Sequence, residues 1–373
     1  MTLQRRPSLR GHERPTVVPA LASLLAACAA TVAACAGAPS APPVPLGTPA
    51  LGEQTSGTAE LLQAVSAVDS SVVWVSGHGG TWALTTDGGR SWRSAVVAGA
   101  DTLQFRDVHA LDARTAWLLS AGSGELSRIY HTTDGGRSWT LQWTNPEPQG
   151  FYDCLDFWDQ DRGMAYGDAV DGGLRVLLTA DGGRTWSLVP GSALPAAQEG
   201  EGGFAASGTC AETAPGGLAW IAAGNAGRTR VFRTTDYGRS WSAAEVPIPG
   251  AAGAGLTSIS MADARNGTAF GGDLNVRDRL LDNAVRTTDG GRSWSLAPGV
   301  PIDGAVYGGA HVPGSRGRGW VAVGPGGAAA STDGGSTWTT IDGRAWWGVG
   351  SAGPDATWIT GPEGRIARVR MGG

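Results

Sequence analysis

The sequence predicts an all-β chain folded as a single seven-bladed β-propeller. Two observations carry that prediction: an octapeptide that recurs six times in phase, and a pair of strand-like runs that recurs seven times. Composition agrees with it. Sixty Gly, 21 Pro and 16 Trp against 16% charged residues describe short strands, tight turns and a repeated aromatic packing unit, not a helical protein. All 28 basic residues are Arg and the formal net charge is -5, which argues against a general nucleic-acid or anionic-membrane binder.

The octapeptides are Thr85 to Trp92, Thr132 to Trp139, Thr179 to Trp186, Thr234 to Trp241, Thr287 to Trp294 and Ser331 to Trp338. All follow the pattern S/T-x-D-x-G-x-S/T-W, known as the Asp box. Its residue types have a structural purpose. The carboxylates of Asp87, Asp134, Asp181, Asp236, Asp289 and Asp333 accept turn N–H groups, the Gly permits positive φ, and Trp92, Trp139, Trp186, Trp241, Trp294 and Trp338 fill the space between neighbouring sheets. Spacings of 47, 47, 55, 53 and 44 between successive box Asp residues suit a four-stranded blade plus loops.

Two strand-like runs precede each box, as in Thr115 to Leu119 and Leu218 to Ala222. The pair recurs once without a box, as Ala356 to Thr360 and Arg365 to Val369, which makes seven units. The last unit stops one strand short. The stretch from about Leu46 to Gln54 is available to supply it, and an open ring would leave two unpaired edges. The domain reading is therefore a signal peptide over 1–35, a tether with a ring-closing strand over 36–56, and a propeller over 57–373.

The N-terminus reads as a targeting segment. Arg5, Arg6, Arg10 and Arg14 precede an apolar stretch from Ala20 to Ala34 that is too short and too Ala-rich to span a bilayer. Two lipobox-like tetrads end at Cys28 and Cys35. Cys35 is the favoured lipidation site, with Cys28 the alternative, because cleavage there leaves a soluble tether from Ala36 to Pro45; ordinary cleavage after Ala38 is the third reading. The expected location is the periplasm or the outer side of a membrane.

In a propeller each blade runs from an inner strand a to an outer strand d. The a–b and c–d turns lie on one face, and the b–c and d–a loops lie on the other. The Asp boxes mark the first face, so a ligand site is expected on the second, or in the channel. Loop elaboration concentrates on blades 3 to 5, around Gly167 to Gly173, Pro190 to Gly203, and Gly272 to Asp282. The candidate patch is Tyr152, Asp153, Asp168, Arg175, Glu201, Ser207, Arg230 and Asp273. The competing reading has these carboxylates cap turns and pair with Arg on a solvated rim.

Cys154 and Cys210 fall at similar positions on the inner strands of blades 3 and 4. They form either a disulfide or two buried thiols, and inner strands of separate blades are often too far apart to bridge. His12, His78, His109, His131 and His311 show no ligand spacing, so no metal site is expected. No cofactor is expected either: the sequence lacks a dinucleotide fingerprint, a P-loop, G-x-S-x-G and H-E-x-x-H.

Recurrent boxes of T-x-D-G-G-R-S-W type, six among seven units, resemble the photosystem II stability/assembly factor family over essentially the whole mature chain. That resemblance implies a seven-bladed propeller in or near a thylakoid lumen that binds a precursor reaction-centre protein and performs no chemistry. The box alone is shared with sialidases, two-domain xyloglucanases and sorting receptors. Phe151 to Asp153, Gly167-Asp168, Gly200 to Thr209 and Gly271 to Asp273 look like a bacterial subset of exported propellers loosely labelled oxidoreductases. The expected function is a monomeric exported scaffold that binds a protein or glycan partner at the cell envelope. The alternative is a glycoside hydrolase using two carboxylates from Asp153, Asp168, Glu201 and Asp273. A sialidase would also need an Arg-Ile-Pro motif and three converging Arg residues, and the sequence has no Arg-Ile-Pro.

Overall fold

The computed structural model describes residues 46–372; the predicted signal segment, Cys28, Cys35 and tether residues 36–45 lie outside them. The described residues form seven four-stranded antiparallel sheets. Blades 1 to 6 each use four consecutive strands, whereas blade 7 takes its outer strand, Leu46–Thr55, from the beginning of the described chain. That strand pairs with Arg365–Gly372 from Leu46↔Gly372 to Thr55↔Arg365 and so joins the two ends of the ring.

The inner strands are Leu62–Ala67, Phe105–Ala110, Tyr152–Phe157, Ala211–Ala214, Ala254–Met261, Gly308–His311 and Gly348–Gly353. Each packs against the next, and the seventh packs against the first. Their free edges face the channel, where an unpaired N–H is costly. Side chains of the preceding blade satisfy several of them. Ser66 accepts from Ala110 N–H at 3.0 Å, Asp107 from Leu155 at 2.7 Å, Asp156 from Thr213 at 2.6 Å, Glu212 from Met261 at 2.7 Å and Ser258 from Gly309 at 2.9 Å.

The octapeptides occupy the c–d turns of blades 1 to 6, and all six share one hydrogen-bond pattern. In the first, Gly89 N–H donates to Thr85 Oγ1 at 2.9 Å, and Ser91 donates to Asp87 through N–H at 2.9 Å and through Oγ at 2.6 Å. The residue after the Asp has positive φ; it is Gly in five turns and Tyr237, at 62°, in the fourth. The box tryptophans are buried or half-buried. Trp139, for example, packs edge-on against Trp74 and Trp82 of blade 1 at 6.0 and 5.9 Å.

A second set of tryptophans, on the b strands, locks blades to one another. Trp117 donates its indole N–H to Gly182 O at 3.2 Å, and Trp220 donates to Gly290 O at 2.9 Å; each acceptor lies in the octapeptide turn of the following blade. The turns are thus inter-blade fasteners as well as hairpin ends.

Candidate functional site

The d–a loop between blades 3 and 4 differs from the others. After a short 3-10 turn at Gly191–Ala193 it crosses the channel as Gly202 to Thr209 before the chain enters the inner strand of blade 4. Gln63 of blade 1 donates its Nε2 to Ala205 O at 2.7 Å and to Ala206 O at 3.1 Å. Ser207 Oγ donates to Tyr307 O of blade 6 at 2.8 Å, and Thr209 Oγ1 donates to Ser258 of blade 5 at 2.8 Å. The segment plugs the channel on the face away from the octapeptide turns.

Asp153 and Asp168 hold the near end of this plug. Gly203 N–H donates to Asp168 Oδ1 at 3.1 Å, and the Gly203 backbone lies against Asp153. The approach is so close that a Cβ on Gly202 would sit 1.8 Å from Asp168 Oδ1, and one on Gly203 would sit 2.8 Å from Asp153 Cγ. Burial and the neighbouring Asp168 charge push Asp153 well above the usual carboxylate range. Burial also pushes Asp168 up to about 6, against the hydrogen bonds from Gly203 and Asp153 that hold it down. Asp153 Oδ2 is buried without a hydrogen-bond partner among the described residues. The Arg106 guanidinium, its own charge disfavoured by burial, pulls Asp153 the other way.

Glu201 and Arg230 form a separate buried pair. Arg230 Nε donates to Glu201 Oε1 at 2.7 Å, Nη2 donates to Oε2, and Nη2 also reaches Ala196 O at 2.9 Å. Gln198 donates to both oxygens of Glu201, through its backbone at 2.9 Å and its side chain at 3.0 Å. With every lone-pair direction engaged, the carboxylate anchors the loop that feeds the plug.

Tyr152 and Arg175 belong to neither group. Tyr152 is buried against Trp143, with ring centroids 4.8 Å apart, and burial raises its phenol above its ordinary value. Arg175 is clamped by both oxygens of Glu147, at 2.7 and 2.9 Å. Ser207 is a peg of the plug. Asp273 accepts Asn275 N–H at 2.9 Å in its own turn and lines a different groove, between blades 4 and 5. Of the eight candidate residues, then, only Asp153, Asp168 and Ser207 meet at one feature, and that feature closes the channel.

Below the plug is a cavity of about 290 Å³ lined by Asp107, His109, Asp156, Glu212, Ser260 and His311, among others. His109 Nδ1 lies 2.5 Å from Asp156 Oδ1. Burial pushes Glu212 up to about 8, raises Asp107 well above the ordinary carboxylate value, and lowers His311 to about 4. Sequence reasoning missed this site; its signal is a polar residue at the same register on six successive inner strands, opposite Trp74, Trp117, Met164, Trp220, Thr268 and Trp320. Asp107, Asp156 and Glu212 are among the acceptors that satisfy inner-edge N–H groups, so their first role is structural. The structure bonds Cys154 to Cys210 across the same region, with the Cα atoms 5.9 Å apart. The inner strands converge enough to meet the geometry of a disulfide, contrary to the separation that blade-to-blade spacing suggested.

The fold has known counterparts. The chain is similar in fold to YCF48. A structure described as YCF48 bound to D1 peptide shares 17% identity, covers 89% of this chain and 99% of its own, and has a TM-score of 0.61. YCF48 from Cyanidioschyzon merolae shares 15% identity over 86% of this chain and 99% of its own, with a TM-score of 0.62. The GH74 xyloglucanase from Xanthomonas campestris shares 14% identity over 85% of this chain but only 53% of its own, with a TM-score of 0.60. No family model and no curated protein sequence matches the chain.

Proposed function

We propose that this chain is an exported propeller that binds a protein partner at the cell envelope and carries out no reaction on it. The observation behind this reading is how the candidate carboxylates are used. Asp153 and Asp168 are taken up against the plug backbone at Gly203 and Gly202, whereas glycosidase carboxyls stand roughly 5 to 10 Å apart in the open around the scissile bond. Glu201 is neutralised by Arg230. What the face around the plug offers instead is surface, including half-buried Trp347, ahead of the inner strand of blade 7, which meets buried Tyr307 edge-on at 5.5 Å beside Phe204.

The likeness in fold to a YCF48 structure with a bound peptide supports partner binding. Export draws support from the basic and apolar N-terminal segment and from the Cys154–Cys210 bond, which persists in oxidising compartments. The test pairs two assays on the mature chain: retention of a partner from the envelope fraction of its own host, and release of sugar from envelope glycans. The reading expects a retained protein and no sugar release. Turnover of a glycoside that is lost in Asp168→Asn would replace it with the hydrolase reading.

A further inference from the structure

Between blades 4 and 5, on the face away from the octapeptide turns, lies a groove of about 530 Å³. Its walls come from three elements that meet there: Ile248 and Pro249 end the outer strand of blade 4, Ala251 lies in the following d–a turn with Ala254 opening the inner strand of blade 5, and Leu280 and Leu281 sit on the b–c loop of blade 5. Leu280 is 60% exposed, more than any other large hydrophobic among the described residues. An aliphatic side chain held out beside an apolar groove marks a contact surface more than a solvated loop.

The charges of the groove are one-sided. Asp273 and Asp282 are its only charged lining residues, and neither makes an ion pair among the described residues. Arg277 and Arg279, on the same loop, are not among the residues that line the groove. Strand addition is blocked at the neighbouring edge, because Pro247 and Pro249 in the outer strand Ser242–Pro249 have no N–H to donate. An occupant therefore engages through side chains: an apolar one for the walls and a cationic one for the rim.

We propose that this groove receives a short cationic segment of a partner protein, with an aliphatic side chain against Ile248 and Leu281 and a Lys or Arg beside Asp273 and Asp282. The proposal rests on the partner-binding reading above and adds to it the place and chemistry of contact.

Fluorescence anisotropy on the mature chain tests it, with a labelled peptide of alternating leucine and lysine, its leucine–glutamate counterpart, and a glycine–lysine control. The leucine–lysine peptide should bind and the other two should bind at least tenfold more weakly. Leu280→Ser should weaken binding about fivefold, and the double change Asp273→Asn with Asp282→Asn about tenfold, with a shallower salt dependence. Leu280 is exposed, so its replacement leaves the fold intact and the comparison interpretable. Equal binding of the leucine–glutamate peptide, or unchanged affinity in both variants, overturns the proposal. So does dimerisation in sedimentation that Leu280→Ser abolishes, which assigns the groove to a second copy of the chain. If the envelope partner is still retained by both variants, the groove assignment fails while the partner-binding reading stands; if no partner is retained by wild type, that reading fails by itself.

Discussion

Arg230 grips both carboxylate oxygens of Glu201 in a site where the Glu201 side chain has no exposure to solvent. Removing one partner leaves the other charge buried and uncompensated, which costs about 3 to 5 kcal/mol. Glu201→Gln and Arg230→Met are each expected to lose roughly that much in denaturant unfolding. Replacing both with Leu should recover much of the loss, since the pair's mutual attraction mainly offsets its own desolvation. A double variant as unstable as the sum of the singles would show that the loop needs the ion pair itself.

Stability should be greatest in mildly acid solution. A carboxyl raised in the folded state keeps a proton that the unfolded chain has released. Its contribution is complete below the ordinary carboxylate value of about 4 and is lost as pH rises through about 6 for Asp168 and about 8 for Glu212. The octapeptide carboxylates have the opposite sign. Asp134 and Asp289, held low by hydrogen bonds from Ser138 and Ser293, contribute above about 4 and lose that contribution as pH falls. The melting temperature is expected to peak between about pH 4 and 6 and to fall toward about pH 9. Asp153→Asn removes a raised carboxyl and its charge beside Asp168, so the alkaline decline should be shallower; an unchanged slope would contradict the part given to these buried carboxyls.

Reduction should destabilise the ring without opening it. The Cys154–Cys210 bond closes a loop with a sequence separation of 56, for which chain entropy gives about 4 kcal/mol. Thermal melts with and without reductant, alongside Cys154→Ser with Cys210→Ser, should show a matching decrease. Indifference to reductant would mean that the two sulfurs are not bonded in the folded protein.

Deleting residues up to Thr55 removes the outer strand of blade 7 and bares the edge of Arg365–Gly372. It also removes Gln54, whose side chain accepts the indole N–H groups of Trp92 and Trp358, each at 3.1 Å. The truncated chain is expected to aggregate or unfold on gel filtration, whereas a chain beginning at Leu46 should elute as a folded species. A folded, monomeric truncation would show that the ring does not depend on this closure.

The ring was legible because its signals are local. Each octapeptide contains its own Asp acceptor, its own Thr or Ser donors and its own positive-φ position, so the turn follows from eight residues. The sheet count then follows from repeating that unit and its paired strands. The interior of the site was less legible because its partners are distant in sequence: Gln63 meets Ala205, Asp107 meets Leu155, and Ser207 meets Tyr307. Asp168 and Glu201 stand out in the sequence as polar residues on elaborated loops, and Asp153 as one on the inner strand beside them. Nothing there says that Asp153 and Asp168 would hold the plug at Gly202 and Gly203 while Glu201 would be neutralised by Arg230. The plug left a faint trace, an apolar Phe204-Ala205-Ala206 between glycines in the middle of a connection. The groove at Leu280 left one too, a Leu280-Leu281 pair inside a charged loop.

Site-specific photo-crosslinking in the envelope fraction tests the central claim most directly, because the chain has no lysines for amine-reactive reagents. A photoreactive residue placed at Leu280, on the face away from the octapeptide turns, should capture a discrete protein partner, and one placed at Arg137, within a turn, should not. Capture from Arg137 with none from Leu280 would put the working surface on the opposite face and contradict the account.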